Sequence, residues 1–406
     1  MAELASERLL GTAPAAGEAP RRGTVVALVT AAMFIDAVFF ALIAPLLPHY
    51  SDQLGLSKLE VGLLFAAHPA GTLLCAPLAA VLVRRVGART TMALGLVALG
   101  LATIVFGFAA SLGLLAFCRF IQGASAALVW CAGLARLRDV APPERRGAAL
   151  GLAGSAAGAG SLFGPGFAAL SVVLSTEAVL LVLGLLALGL CAALHSAGEL
   201  PAEGRDSSAE ARPTSADVPL AGIARPLVVI VVCGVVFGAV ATLAPLQLAH
   251  LGVGVVGVAA VFGLSALGEM VAAPLAGHFS DLVGRIPPIR LSLLVAIPLL
   301  ALQAVAGSAW VLGVAVALTA AVIASLWPLG TALLADESGE RSGSPAGVFA
   351  ASVVAWSGGL AAGSLLCGAL AEGPGEGAAY AVLVAACALA LLSLATVPRR
   401  PAAALG

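Results

Sequence analysis

The sequence predicts an all-α membrane protein with twelve transmembrane helices in two six-helix pseudo-repeats. Three observations predict it: the apolar composition, the alternation of the arginines, and a gapless match between the two halves. Of 406 residues, 61% are hydrophobic and 10% charged, where a soluble domain carries about 25% charged residues. So few charges cannot cover a water-facing surface, so much of the surface must face lipid. The net charge of −1 gives no purchase on nucleic acid.

A spanning helix needs about 20 mostly apolar residues. Polar breaks leave twelve such stretches, at 24–49, 57–82, 89–109, 112–135, 147–173, 177–195, 226–250, 255–279, 287–307, 309–334, 345–370 and 377–397. Arginines follow the even-numbered spans: Arg84, Arg85 and Arg89, then Arg136, Arg138, Arg145 and Arg146, then Arg205, Arg212 and Arg225, and so on to Arg399 and Arg400. The loops of the other side carry only Lys58. By the positive-inside rule both termini are expected to be cytoplasmic. Residues 1–23 are polar, lack the apolar core of a signal peptide, and read as a disordered cytoplasmic N-terminus. One lysine beside nineteen arginines, with abundant Ala and Gly, favours a GC-rich genome and a bacterial inner membrane. The seven cysteines lie in apolar runs without a CxxC pair, so they read as small core residues rather than disulfides or metal ligands.

Residues 196–225 form the one long polar connection and read as a flexible cytoplasmic linker. It separates an N-terminal bundle at 24–195 from a C-terminal bundle at 226–397, with 398–406 as a tail. A shift of 197 residues lays Pro77 on Pro274, Phe65 on Phe262, Gly71 on Gly268, Trp130 on Trp327 and Asp139 on Asp336. Both halves keep the same orientation, so this is a parallel repeat, as in transporters whose halves rock about a central site.

The loop after span eight reads Gly277-His-Phe-Ser-Asp281-Leu-Val-Gly284-Arg285, span four carries Arg119-Phe-Ile-Gln122-Gly123, and span five is glycine-rich through Gly164-Pro165-Gly166. In these motifs and over nearly its whole length the chain resembles the major facilitator superfamily. The loop resembles the family's GxxxD(R/K)xGR motif, with Leu282 in place of its first basic residue, and Arg119–Gly123 is similar to its RxxQG motif. Span five resembles the "antiporter motif" of drug:proton exchangers, with Ala168 and Ala169 in place of its last glycines. In the N-terminal copy of the loop Arg84 stands where the family has Asp, which leaves that half without the latch the resemblance implies. Asp36, followed by Pro45 and Pro48, is spaced as in the vesicular amine transporters, whose further acids in the C-terminal half are replaced here by Ile323 and Val353. The resemblance also implies a functional monomer.

Ionisable residues within spans are costly and are functional candidates. Asp36 sits about twelve residues into span one, roughly 18 Å deep at 1.5 Å per residue. A carboxylate there can hold a proton or a cation, but not both cheaply, which is the chemistry of proton-for-cation exchange. The alternative is a permanent pair with Arg119. Arg119 can tune a carboxylate and order water, with Gln122 one turn on, or tie helices together. Glu269, in span eight, is a second proton or cation candidate, or else a carboxylate tied to its loop. Its repeat mate is Thr72, and one turn earlier lie His68 and its mate Ser265, so both helices carry polar groups at matching positions. His68 precedes Pro69 and is read first as satisfying that local backbone defect. Trp356, inside span eleven, is an aromatic candidate for an organic cation. Trp130 and Trp327 read as interfacial anchors at the cytoplasmic ends of their spans.

The expected function is secondary active transport by alternating access. Its sharper form is proton-coupled efflux of a small organic, cationic solute or drug, with the bilayer, that solute and protons as partners. A carrier of a neutral solute such as a sugar, or a transporter-like sensor, is the alternative. HExxH and GxSxG patterns and a P-loop are missing, so neither an enzyme nor an ATP-driven pump is expected, and no cofactor is called for.

Overall fold

A computed structural model describes residues 18–141, 146–196, 220–338 and 345–395. Its thirteen helices, among the described residues, are α1 (Glu18–Leu54), α2 (Lys58–Val86), α3 (Ala88–Gly107), α4 (Leu112–Val140), α5 (Arg146–Leu174), α6 (Thr176–Ser196), α7 (Leu220–His250), α8 (Val255–Val283), α9 (Ile286–Val305), α10 (Ala309–Ala324), α11 (Leu326–Ser338), α12 (Pro345–Glu372) and α13 (Glu376–Ala395). They make twelve stretches long and apolar enough to cross a membrane.

The tenth span departs from the single helix expected over 309–334. It is two helices, broken at Ser325. Pro328, in the first turn of α11, has no N–H to continue the ladder, and its ring crowds the carbonyl four residues back. Ser325 Oγ then accepts or donates across to Ser292 Oγ at 3.0 Å. Two other boundaries differ. α1 begins at Glu18, inside the segment read as a disordered terminus, and α7 begins at Leu220, inside the segment read as linker. The rest of both segments, residues 396–406, and the loop at 142–145 with Arg145 lie outside the described residues.

Helix ends follow local chemistry. Ser57 caps α2 in a reciprocal box with Glu60. Gly87 and Gly284, which the repeat superposes, turn the chain after α2 and α8 with φ of 85° and 89°, a conformation that costs glycine little. One apolar core, around Val236, Leu293 and Tyr380, belongs to the C-terminal half. A second, around Leu42, Phe65 and Leu180, also takes in Ala241, Leu246 and Leu360 of the C-terminal half. A third, around Met33, Met92 and Val129, belongs to the N-terminal half. Large apolar side chains such as Leu74, Val173 and Leu282 face outward all round, which suits lipid.

Between the halves, α2 packs along α12 and α5 along α8, with α1 against α7 at the centre. The repeat exchanges the first two pairs, so the interface is itself pseudo-symmetric. At the Lys58 end of α2 the backbones touch: a Cβ on Gly62 would stand 2.5 Å from the Ser364 carbonyl, and one on Gly368 2.7 Å from that of Lys58. Lys58 Nζ bonds Glu376 Oε1 at 2.5 Å, and the Leu59 N–H donates to Glu372 Oε2 at 3.0 Å. That end of the interface is therefore closed.

Candidate functional site

Small residues set the local frame. Gly160 and Gly164 of α5 lie flat on α1, where a Cβ would stand 2.5 Å from the Phe34 carbonyl or 2.7 Å from Ala41 Cβ. Of the other glycines of that span, Gly151, Gly154 and Gly166 meet nothing within 4 Å, and a Cβ on Gly158 would meet only Met270 Cγ, at 3.6 Å. Without a Cβ on Gly160 and Gly164, α1 can approach α5 closely on one side, while its Asp36 turns to α4 on the other.

Asp36 is buried, and its Oδ2 accepts a hydrogen bond from Trp130 Nε1 at 2.8 Å, while Oδ1 has no partner. Trp130 is thus no interfacial anchor: its indole reaches inward to the one acid of α1 in the apolar part of the span. Arg119 and Asp36 lie within electrostatic reach, yet no ion pair joins these two described residues. Arg119, fully buried, donates instead to Gln122 Oε1 at 2.8 Å, and Gln122 Nε2 donates to Thr103 Oγ1 at 3.0 Å. The permanent Asp36–Arg119 pair is not what the structure holds.

Thr72 and His68 lie at the seam of α2 and α4. Thr72 Oγ1 donates to the carbonyls of Gly123 and His68, at 3.0 and 3.2 Å. A Cβ on Gly123 would run into the His68 carbonyl, which explains the glycine that closes the Arg119 motif. The His68 ring makes no hydrogen bond to a described residue. It packs on Phe40 at 5.2 Å rather than mending the backbone at Pro69.

Between the halves lies a cavity of about 70 Å³. The N-terminal half lines it with Phe40, Phe65, Ser161 and Pro165, and the C-terminal half with Phe237, Phe262, Ser265, Glu269 and Thr319. Phe40 and Phe237 are repeat mates and stack across the interface, centroids 6.4 Å apart with planes at 23°. Phe65 meets Phe40 at 5.9 Å and Trp356 meets Phe237 at 5.3 Å. Glu269 is half-buried and accepts no hydrogen bond from a described residue. An unpaired carboxylate against so much apolar surface is costly.

Of the residues singled out in sequence, the cavity wall gathers Ser265, Glu269 and Pro165. Asp36, Arg119, Gln122, Thr72, His68 and Trp356 do not line it, though His68 and Trp356 touch the wall's Phe40 and Phe237. Phe40, Phe237 and Thr319 were missed, although a signal existed. The offset of 197 superposes Phe40 on Phe237 and Gln122 on Thr319. The same offset lays Asp36 on Cys233, whose thiol donates to the Ile323 carbonyl at 3.0 Å beside Glu269.

The span-eight loop works within one half. Arg285 bonds Asp281 at 2.7 Å, Ser280 at 3.1 Å and Asp336 at 3.1 Å, clamping the end of α8 to the end of α11. Asp281 and Asp336 push the Arg285 pKa up by hydrogen bonding to its charged form. Gly284 makes the turn that brings Arg285 back, whereas Gly277 has open space around it.

Over 143 residues the chain is 29% identical to multidrug resistance protein 2 of Bacillus subtilis, covering 35% of this chain and 36% of that protein. It is 32% identical over 156 residues to a probable vesicular acetylcholine transporter-B of Danio rerio, covering 36% and 32%. Quinolone resistance protein NorA of Staphylococcus aureus matches at 26% over 134 residues, 33% of this chain and 34% of that one. The matched stretch spans about a third of the length of these curated relatives. Among solved structures, a bacterial homologue of the human lysosomal transporter Spinster superposes with a TM-score of 0.71 at 17% identity, over 93% of this chain and 96% of that one. A variant of the nucleoside transporter NupG gives 0.74 at 11%, over 91% and 99%. These two share the fold. The family model of the Major Facilitator Superfamily matches residues 29–300, two thirds of the sequence, and the chain belongs to that superfamily.

Proposed function

We propose that the protein is a proton-coupled secondary transporter that exports a small organic cation by alternating access. The observation that carries the reading is Glu269. It is an unpartnered carboxylate on a cavity walled by Phe40, Phe65, Phe237 and Phe262. Such a group is neutralised by a proton or by the solute, one at a time, and that competition is what exchange requires. Asp36 is the second carboxylate, held by Trp130 behind the wall and within reach of the Arg119 charge. With the arginine-rich loops in the cytoplasm, the closed end at Lys58 and Glu376 faces outward. The drug-resistance relatives support the solute class, at low identity over part of their length.

The test uses the full chain in liposomes with an imposed pH gradient and tetraphenylphosphonium as the probe. Gradient-driven flux is expected in the wild type. Glu269→Gln should weaken probe binding by about tenfold or more, as loss of a buried charge contact does, and Asp36→Asn should uncouple flux from the gradient. Flux indifferent to the gradient and to both substitutions would overturn the mechanism and favour a neutral solute.

A further inference from the structure

One string of buried polar side chains in the C-terminal half has no part in that reading. It starts at the closed end, where Lys58 of the N-terminal half holds Glu376 Oε1 at 2.5 Å. The other carboxylate oxygen accepts from Gln247 Nε2 at 2.7 Å, and Gln247 Oε1 accepts from the Tyr380 hydroxyl at 2.7 Å. Beyond Tyr380 lies Gln303, whose Oε1 is 3.5 Å from the same hydroxyl and whose Nε2 donates to Thr319 Oγ1 at 2.7 Å. Thr319 lines the central cavity. The string therefore runs from the bond that shuts one end of the molecule to the wall of the cavity.

Tyr380 is its critical member. A phenol has one proton to donate, and two carbonyl acceptors compete for it from either side, at 2.7 and 3.5 Å. Tyr380 is fully buried, as are Gln303 and Thr319 to within 1%, so water cannot substitute for the bond that is lost. Nor does the fold demand the string. In the N-terminal half the mates of Gln247, Gln303 and Tyr380 are Tyr50, Phe106 and Leu183, and the first two simply pack ring to ring at 5.2 Å.

We propose that Tyr380 is a two-position switch between the cavity and the gate at Lys58. Donating to Gln247, its hydroxyl fixes the amide that orients Glu376 toward Lys58, and the end stays shut. Donating to Gln303, it releases Gln247, and the Glu376 carboxylate loses the partner that positions it. Gln303 Oε1 accepts that hydrogen bond when the bond from its own amide to Thr319 is disturbed, which is what a solute against the cavity wall does. This last step rests on the cavity being the solute site. The switch itself does not, and Tyr380 and Gln303 are positioning residues for the gate.

The experiment is amide hydrogen exchange on the full chain in lipid nanodiscs, read in peptides covering residues 55–64 and 366–378, with no ligand present. Tyr380→Phe and Glu376→Gln are each expected to raise exchange there by about three- to tenfold, the effect of one net hydrogen bond. The double variant should exceed neither single one, because both act on the same link. Thr319→Val, at the far end of the string, should raise it too. Thr242→Val removes a buried hydroxyl that bonds only the Gly238 carbonyl and should leave it unchanged. Tyr380→Phe behaving like Thr242→Val, or adding fully to Glu376→Gln, overturns the proposal. Tetraphenylphosphonium is then added. Bound probe should raise gate exchange in the wild type and not in Thr319→Val. A probe that does not bind counts against the solute reading alone, since the ligand-free exchange already decides the switch.

Discussion

Arg119 carries five N–H donors into a site where its Nη1 reaches Gln122 and its Nε and Nη2 are buried without a partner among the described residues. That makes Gln122 unusually valuable. Replacing it by Leu removes the acceptor and is expected to lower stability by about 1–3 kcal/mol, the cost of a buried unpaired donor, measured by thermal unfolding in detergent. Thr103→Val, one bond further out, should cost less, about 1 kcal/mol. At Asp36 the equivalent change is Trp130→Phe, which keeps the ring and deletes the N–H. Folding should survive, while gradient-driven uptake falls by about tenfold, as expected when a buried carboxylate loses a net bond of roughly 1.4 kcal/mol. Asp36, Arg119 and Glu269 were legible in sequence because a charge in an apolar run is conspicuous. Their partners were not. Trp130 meets Asp36, and Thr103 meets Gln122 beside Arg119, only through helix rotation, and a helix apolar all round does not reveal its rotation.

At the scale of the helices, glycines that look alike in sequence separate into two kinds. Gly123 abuts the His68 backbone, and Gly151 has nothing within 4 Å. Gly123→Ala should therefore cost about 1–3 kcal/mol, as overpacking does, and lower the melting temperature. Gly151→Ala should be neutral or stabilise by up to about 1 kcal/mol, since alanine is the better helix former. Spans were readable from length and hydropathy, because both are properties of one segment. The break at Ser325 was less so: Pro328 announces a helix start, but nothing local says that the helix before it ends within the membrane. The ends of α1 and α7 were misread because polar residues at Glu18–Arg22 and near Leu220 suit a helix that leaves the bilayer as well as they suit a linker.

For the whole molecule, the arginine alternation predicts topology, and reporter fusions test it. Alkaline phosphatase joined after Gly252 should be active and after Arg285 inactive. The reverse pattern would invert the molecule and move the Lys58 gate to the cytoplasmic side. The repeat was legible because coincident Trp, Pro and Phe at one offset are rare. Which end is closed was not, since that depends on contacts between halves that no single segment encodes. The repeat also shows where the halves have parted. An acid stands at Asp36 where its mate is Cys233, and at Glu269 where its mate is Thr72. A parallel repeat relates the halves by an axis along the membrane normal, so exchanging two identical halves would carry the inward-open form onto itself and not onto the outward-open one. No symmetry of this repeat therefore ties the two forms to one energy, and they are free to be unequal even with no gradient across the membrane. Such inequality cannot pump by itself, because at equilibrium the ratio Vmax/KM must be the same in both directions. It appears instead as a carrier that is tight and slow from one face, loose and fast from the other.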